Sequence, residues 1–127
     1  MIKDQYRAWD IKGNNYYPRI FNIAEFSLID PEMYKYLCFE QCIGVEDITN
    51  KLIYHKDVLQ NPSNGLYLVE WDKYQARFCL IPAVFLTFNK NIEYAARYHS
   101  MTLFETDVRL YKIVGNFNEN KALLGII

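Results

Sequence analysis

The sequence predicts a mainly β domain, and three of its properties support this. Short apolar stretches recur about every ten residues with turn-forming residues between them, which is typical of a β-sandwich or a small β-barrel. Aromatic residues make up 17% of the 127 residues, with eleven Tyr and eight Phe, and such side chains favour strands. The hydrophobic fraction of 51% is too high for a disordered chain. A chain of this length can bury one core, so we expect residues 1–127 to form a single domain.

In the first half of the chain, alternating or apolar side chains predict strands at residues 3–10 and 34–43, and one or two short strands within residues 17–28. The Gly-Asn-Asn sequence that starts at Gly13 predicts a turn, because Gly and Asn tolerate positive φ. Asp30 and Pro31 predict a single helical turn, with Asp30 accepting from free backbone N–H groups. Asn50 marks a hairpin turn that needs a left-handed residue.

In the second half, the loop that ends at Gly65 is followed by two stretches, residues 66–71 and 76–81, that predict a β-hairpin. Pro82 stops the second strand or places it at a sheet edge. Asn91 caps a predicted short helix over residues 91–98. The remaining stretches predict strands at residues 84–88, 101–105 and 108–114, and a short helix over residues 118–124 capped by Asn118.

The charge balance restricts the partners. The chain has fourteen basic and fifteen acidic residues, so its net charge is −1. Strong electrostatic binding to nucleic acid needs a basic surface, and mimicry of DNA needs a large acidic excess. The near-neutral charge of this chain argues against both. No apolar stretch approaches the length of a membrane span and no signal peptide opens the chain, so we expect a cytoplasmic protein without a membrane partner.

No catalytic motif is present in the sequence. The glycines are dispersed, no Ser lies in a nucleophile elbow, and His55 and His99 are isolated, so we expect no enzyme and no cofactor. Cys38, Cys42 and Cys79 are expected to be buried thiols, because no further Cys or His pair completes a zinc site, although a redox or metal role for Cys38 and Cys42 stays open. Four aspartates at strand ends are expected to cap turns rather than to form a metal or acid–base cluster, namely Asp10, Asp47, Asp57 and Asp72.

The tyrosines are too many for a core of this size to hide. Exposed tyrosines can anchor a protein interface or stack on nucleobases, and otherwise they cover the core with the ring and hydrate the hydroxyl group. The near-neutral charge favours the protein interface over the nucleic acid. The exposed, partner-binding candidates lie beside turn residues or at a predicted helix end, and they are Tyr16, Tyr17, Tyr74 and Tyr98.

Three segments together resemble the YopX family of small proteins encoded by phages and prophages. The first is Tyr-Arg-Ala-Trp-Asp from Tyr6, and the last is Ile-Val-Gly-Asn-Phe-Asn-Glu-Asn from Ile113. The central segment matches at Gly44, Asp47, Lys51, Ile53, Tyr54, Asp57 and Val58, and it departs from the family at Cys42, Ile43, Asn50 and Lys56. The resemblance implies a single YopX-like domain with an SH3-like, partly open β-barrel, a few short helices and a tendency to form homo-oligomers.

The resemblance also gives the expected function. It implies a small phage or prophage accessory protein that binds a host or phage protein without catalysis, as a regulator or inhibitor, for example of a defence or nuclease system. The alternative is a nucleic-acid-binding barrel in phage replication or gene control. A two-fold homo-oligomer is expected because an open barrel edge is a template for another chain.

Overall fold

The computed structural model of the chain describes residues 5–88, 91–103 and 107–125. It is mainly β, with a curled half-barrel sheet and a few short helices. The first sheet has the order β2-β1-β4-β5, and β3 also pairs with β1. Its strands are β1 (Gln5–Asp10), β2 (Asn15–Tyr16), β3 (Phe21–Asn22), β4 (Leu37–Glu46) and β5 (Leu52–Tyr54).

The second sheet is antiparallel and has the order β10-β6-β7-β8-β9. Its strands are β6 (Asp57–Gln60), β7 (Leu66–Asp72), β8 (Arg77–Pro82), β9 (Met101–Thr102) and β10 (Lys112–Asn116). Two α-helices lie between β8 and β9, namely α1 (Ala83–Phe88) and α2 (Ile92–Tyr98). Within the described residues, four 3-10 helices cover Ile23–Leu28, Met33–Lys35, Val108–Leu110 and Lys121–Leu124. None of the helices in the described part of the chain combines the length and the apolar character needed to cross a membrane.

The second sheet separates two parts of the core. Val58, Leu68 and Ile81 lie on one face and pack against the α-helices at Leu86 and Ala95. The opposite face carries Leu59, Val69 and Leu80, which pack against Ile43 and Ile53 of the first sheet. Because successive side chains of a strand point to opposite faces, each strand of β6–β8 supplies both parts. A third apolar cluster closes the far end of the first sheet, with Ala8, Phe21, Ile29 and Leu37.

Several predicted elements are confirmed. The hairpin of β7 and β8 pairs Leu68 with Ile81, and β8 ends at Pro82. The side chain of Asn91 accepts a hydrogen bond from the N–H of Tyr94 and caps α2. Asn50 has a φ of 67°, as its turn requires. Gly44 has a φ of 85° and lies where the register between β4 and β5 shifts, so this irregularity needs glycine.

Other predictions are wrong. Residues 84–88 were expected to form a strand, but they belong to α1, where Leu86 is buried while Val84 and Phe85 are exposed. Residues 108–114 start as a 3-10 helix before β10 begins at Lys112. The C-terminal helix is a short 3-10 helix that follows Asn120, and Asn118 contacts the first sheet instead. Residues 3 and 4 of the first predicted strand and residues 104 and 105 of a later one lie outside the described residues.

The β4–β5 turn packs on the edge of β10. The N–H of Ile113 in β10 donates to the Asp47 carboxylate at 2.9 Å, and the N–H of Ile48 donates to the carbonyl of Tyr111 at 2.9 Å. At the other end of the strand, the N–H of Asn116 donates to the Asn120 side chain at 3.1 Å. These contacts occupy backbone groups that an edge strand would otherwise offer to another chain.

Candidate functional site

The three segments singled out in the sequence meet at one buried ion network. Arg7 of β1 donates from Nε to Glu40 of β4 at 2.7 Å and from Nη1 to Asp57 of β6 at 2.8 Å. Its Nη2 donates to the carbonyl of His55 at 3.2 Å. Burial raises the pKa of Asp57 to about 6. Arg7 and the N–H of Tyr54 favour the ionised form, but burial outweighs them. One guanidinium therefore serves two buried carboxylates.

Tyr16 and Asn118 complete this network. The Tyr16 hydroxyl donates to Glu40 at 2.9 Å, and the Asn118 amide donates to the other Glu40 oxygen at 2.6 Å. The guanidinium of Arg7 lies over the Tyr16 ring at 4.7 Å from its centroid. Burial raises the pKa of the Tyr16 hydroxyl. Each partner satisfies a buried polar group of another, which is the pattern of a structural network.

A cleft of about 310 Å³ lies between α2 and the β7–β8 hairpin. We call it the Glu70 cleft; its lining residues are His55, Lys56, Glu70, Trp71, Lys73, Tyr74, Ile92, Glu93 and Ala96. The buried Glu70 carboxylate contacts Nε2 of His55 and accepts from Nζ of Lys56 at 2.6 Å. Burial would raise the pKa of Glu70, but His55 and Lys56 outweigh it and hold this pKa at about 2. The cleft therefore has an ionised, paired floor and walls that combine apolar side chains with the Lys73–Glu93 ion pair.

An exposed group of aromatic and cationic side chains borders this cleft. We call Tyr74, Tyr94, Arg97 and Tyr98 the tyrosine–arginine patch. The three tyrosines are 54%, 45% and 57% exposed, respectively. The guanidinium carbon of Arg97 lies over Tyr74 at 4.1 Å and over Tyr98 at 5.0 Å from the ring centroids. Tyr94 and Tyr98 contact each other at 4.8 Å, one helical turn apart on α2.

The aromatic surface continues beyond the patch. His99 stacks on Phe85 of α1 with ring centroids 4.5 Å apart and an interplanar angle of 10°. The His99 ring also contacts Tyr94 at 5.7 Å. A cleft of about 260 Å³ opens between Tyr74 and α2, lined by Asn91, Glu93 and the patch residues. Aromatic side chains from α1, α2 and the hairpin therefore form one continuous exposed surface.

The structure separates the four tyrosines proposed from the sequence. Tyr74 and Tyr98 are exposed and lie together in the patch, as expected. The expectation of exposure is wrong for Tyr16, which is half-buried against Arg7 and Glu40, and for Tyr17, which packs on Phe21 with ring centroids 5.5 Å apart. Tyr16 belongs to β2 of the first sheet, and Tyr17 directly follows that strand. Partner binding by the exposed pair stays a prediction.

Tyr94 and Arg97 were not among the residues predicted from the sequence to bind a partner. Tyr94, Arg97 and Tyr98 are spaced three and four residues apart, which places them on one face of the helix that Asn91 was predicted to cap. This signal was available from the sequence. The contact of Arg97 with Tyr74 was not, because Tyr74 belongs to the turn of the hairpin.

The aspartates and cysteines have structural roles. All four aspartates accept backbone N–H groups in turns, as predicted, at Asp10, Asp47, Asp57 and Asp72. Cys42 and Cys79 are buried, whereas Cys38 is exposed, which corrects the expectation for that residue. Burial raises the pKa of the Cys79 thiol to about 11. Four residues of an extended strand span about 13 Å, so Cys38 and Cys42 on β4 are too far apart for a disulfide.

The described part of the chain contains no group of three or more His, Cys, Asp or Glu side chains arranged to hold a metal ion. Comparison with known proteins finds neither a family model nor a curated protein that matches the chain.

Proposed function

We propose that this chain is a non-catalytic binding protein that contacts another protein through the tyrosine–arginine patch. The observation that carries the proposal is the exposed Arg97 guanidinium over the rings of Tyr74 and Tyr98. Tyr, Trp and Arg supply most of the binding energy at protein interfaces. A tyrosine ring offers a large contact area at a small cost in side-chain entropy, since each Tyr has only two side-chain torsions to fix.

The charges around the patch favour a protein over a nucleic acid. Lys73 forms an ion pair with Glu93, four residues before Arg97 on α2, at 3.1 Å, so these two charges offset each other. Binding to a nucleic-acid backbone gains affinity by neutralising several phosphates along a basic track. A single arginine beside a glutamate does not supply such a track.

The resemblance to phage proteins gives the biological setting of the proposal. We propose a phage or prophage accessory protein, with an SH3-like barrel, that regulates or inhibits a host or phage protein in the cytoplasm. Its support is the resemblance of the three segments and their meeting point, since Arg7, Asp57 and Asn118 come from the first, central and last segment. This convergence makes the segments a stabilising motif and leaves the patch, which lies outside all three, free for a partner.

Affinity capture tests the proposal. The tagged chain is incubated with a bacterial lysate, with and without nuclease treatment, beside the variants Tyr98→Ala and Arg97→Ala. We expect a captured protein that survives nuclease and is lost with both variants. The matched control is Arg109→Ala, because Arg109 is also exposed but pairs with Asp107 at 2.9 Å within its own turn. Capture that disappears with nuclease, or that is equally strong with the patch variants, would contradict the proposal.

A further inference from the structure

The charge of Arg97 lacks the partner that its helix offers. Glu93 and Arg97 are four residues apart on α2, with the acid on the N-terminal side, which is the favourable order for an ion pair along a helix. Glu93 instead pairs with Lys73 of the hairpin at 3.1 Å. Among the described residues, no carboxylate lies within ion-pair distance of the Arg97 guanidinium.

The same guanidinium is held in place by aromatic rings. Its carbon atom lies 4.1 Å from the Tyr74 centroid and 5.0 Å from the Tyr98 centroid. Contact with a ring restricts the long arginine side chain, while the edge of the planar group keeps its N–H donors available. These donors match the two oxygens of a carboxylate, which they can bind with two parallel hydrogen bonds. The side chain is therefore ordered before a partner arrives.

We infer that the partner of this patch presents an acidic side chain, Asp or Glu, to Arg97, flanked by apolar side chains that cover the tyrosine rings. The inference rests on the proposed function and names the chemistry of the partner. The cleft of about 260 Å³ beside Arg97 gives the carboxylate a recessed position between Tyr74 and α2. The Glu70 cleft, which shares Tyr74 and Glu93 with it, is large enough for a neighbouring apolar side chain.

A carboxylate fits this site better than a nucleic-acid backbone because of the number of cations that each needs. Successive phosphates of a bound strand each call for a cation, whereas Lys73 at this site is already paired with Glu93. One acidic side chain needs only the guanidinium of Arg97. A partner that covers the tyrosine rings would exclude water from the single charge pair and strengthen it, because the local dielectric constant would fall.

A random library of displayed 12-residue peptides tests the inference on the intact chain. Peptides are selected on the wild-type chain, and the enriched sequences are synthesised with amidated C-termini and measured by fluorescence polarisation. We expect enrichment of Asp or Glu beside apolar residues, and at least about tenfold weaker binding to Arg97→Ala. Arg97→Lys should recover only part of the loss, since it keeps the charge without the planar fork. Arg109→Ala should bind like the wild type.

A charge exchange separates direct pairing from a general effect of charge. Arg97→Glu should abolish binding of the selected peptide, and replacing the peptide's acid by Lys should restore binding to that variant. Selected peptides without an acid, or binding that ignores Arg97, would overturn the inference. So would competition by a single-stranded oligonucleotide at micromolar concentration that depends on Arg97. If lysate capture still depends on the tyrosines in these cases, the proposed function stands and only the acidic partner is wrong.

Discussion

Arg7 and Asp57 form an ion pair at 2.8 Å that joins the first strand of the chain to the first strand of the second sheet. The Asp57 side chain is almost fully buried, and Arg7 is mostly buried. The same guanidinium binds Glu40 at 2.7 Å, so three strands share one charge. Removal of the water that would otherwise solvate these groups makes each of them dependent on the other two.

The first prediction follows from this dependence. Arg7→Ala should lower the free energy of unfolding by about 3–5 kcal/mol, because it leaves two buried carboxylates without their cation. Denaturant unfolding followed by circular dichroism measures the change. Arg109→Ala serves as the control and should leave the free energy of unfolding nearly unchanged, since Arg109 is exposed. Equal stabilities for the two variants would show that the network contributes little.

The second prediction concerns the pH dependence of stability. His55 and Lys56 hold the pKa of the folded-state Glu70 at about 2, below its ordinary value of 4.5. The stability from this carboxylate is therefore fully present above pH 4.5 and is lost as the pH falls toward 2. Glu70→Gln should lower the free energy of unfolding by up to about 3 kcal/mol at neutral pH, because the pKa of Glu70 differs by roughly 2.5 between the folded and unfolded chain.

The difference between wild type and Glu70→Gln isolates this group. Other acids such as Asp57, whose pKa is raised, titrate in both proteins and cancel in the subtraction. We expect this difference to decrease steadily as the pH falls below about 4.5, where Glu70 begins to lose its advantage over the unfolded chain. A difference that stays the same down to pH 2.5 would rule out the ion pairs as its source.

The third prediction concerns Asp47, which ties the β4–β5 turn to β10. Burial of its carboxylate raises the pKa, but hydrogen bonds from the backbone of Ile113, Lys51 and Thr49 and from the Thr49 hydroxyl outweigh burial and keep the pKa below its ordinary value. Asp47→Ala should cost about 1–3 kcal/mol, because the backbone N–H groups of Thr49, Lys51 and Ile113 lose their acceptor. Amide hydrogen exchange should accelerate at Ile113, whose N–H donates to Asp47.

Asp107→Ala provides the comparison for Asp47. Asp107 also accepts a backbone N–H, from Arg109, but it lies in an exposed turn. Its loss should destabilise the chain less than the loss of Asp47 and leave the exchange of the Ile113 amide unchanged. Exchange at Ile113 that stays unchanged in Asp47→Ala, or that accelerates equally in Asp107→Ala, would contradict the role given to Asp47.

Much of the fold was predictable because its signals are local. The hairpin over residues 66–81 could be predicted from two apolar stretches and the polar turn between them. The capping role of Asn91 could be predicted from the three residues that follow it. Residues 84–88 were mispredicted because a short apolar stretch has no clear period. The choice of helix was made by tertiary packing, since Leu86 joins the cluster of Ala95 and Leu124.

The candidate site was harder to predict because it depends on distant pairs. The burial of Tyr16 follows from Glu40, 24 residues away, and from Asn118, 102 residues away. Neither partner is visible in the local sequence. The availability of the Arg97 charge likewise depends on a distant residue. Lys73 forms the ion pair with Glu93 that Arg97, four residues along the same helix, could otherwise form. Side-chain composition could indicate an interface, but only the tertiary structure shows which tyrosines belong to it.

The final prediction is self-association, which is expected from the resemblance and has a second physical basis in the structure. The 3-10 helix Ile23–Leu28 contains no buried residue. Ile20, Ile23 and Leu28 are 47%, 56% and 84% exposed, so this segment presents apolar side chains to water. Such a concentration of exposed apolar residues is typical of an interface. We expect a two-fold dimer in which these segments cover each other.

Light scattering at micromolar concentration measures this dimer directly. The wild-type chain should have about twice the 15.1 kDa mass of one chain. Replacing Ile23 and Leu28 together by Ser should shift the mass toward the monomer while the circular dichroism spectrum stays the same, because neither side chain supports the core. Leu110→Ser is the matched control, since Leu110 is 55% exposed in a different 3-10 helix and should leave the dimer intact. A monomeric wild-type chain, or a dimer that both variants weaken equally, would show that this segment is not the interface.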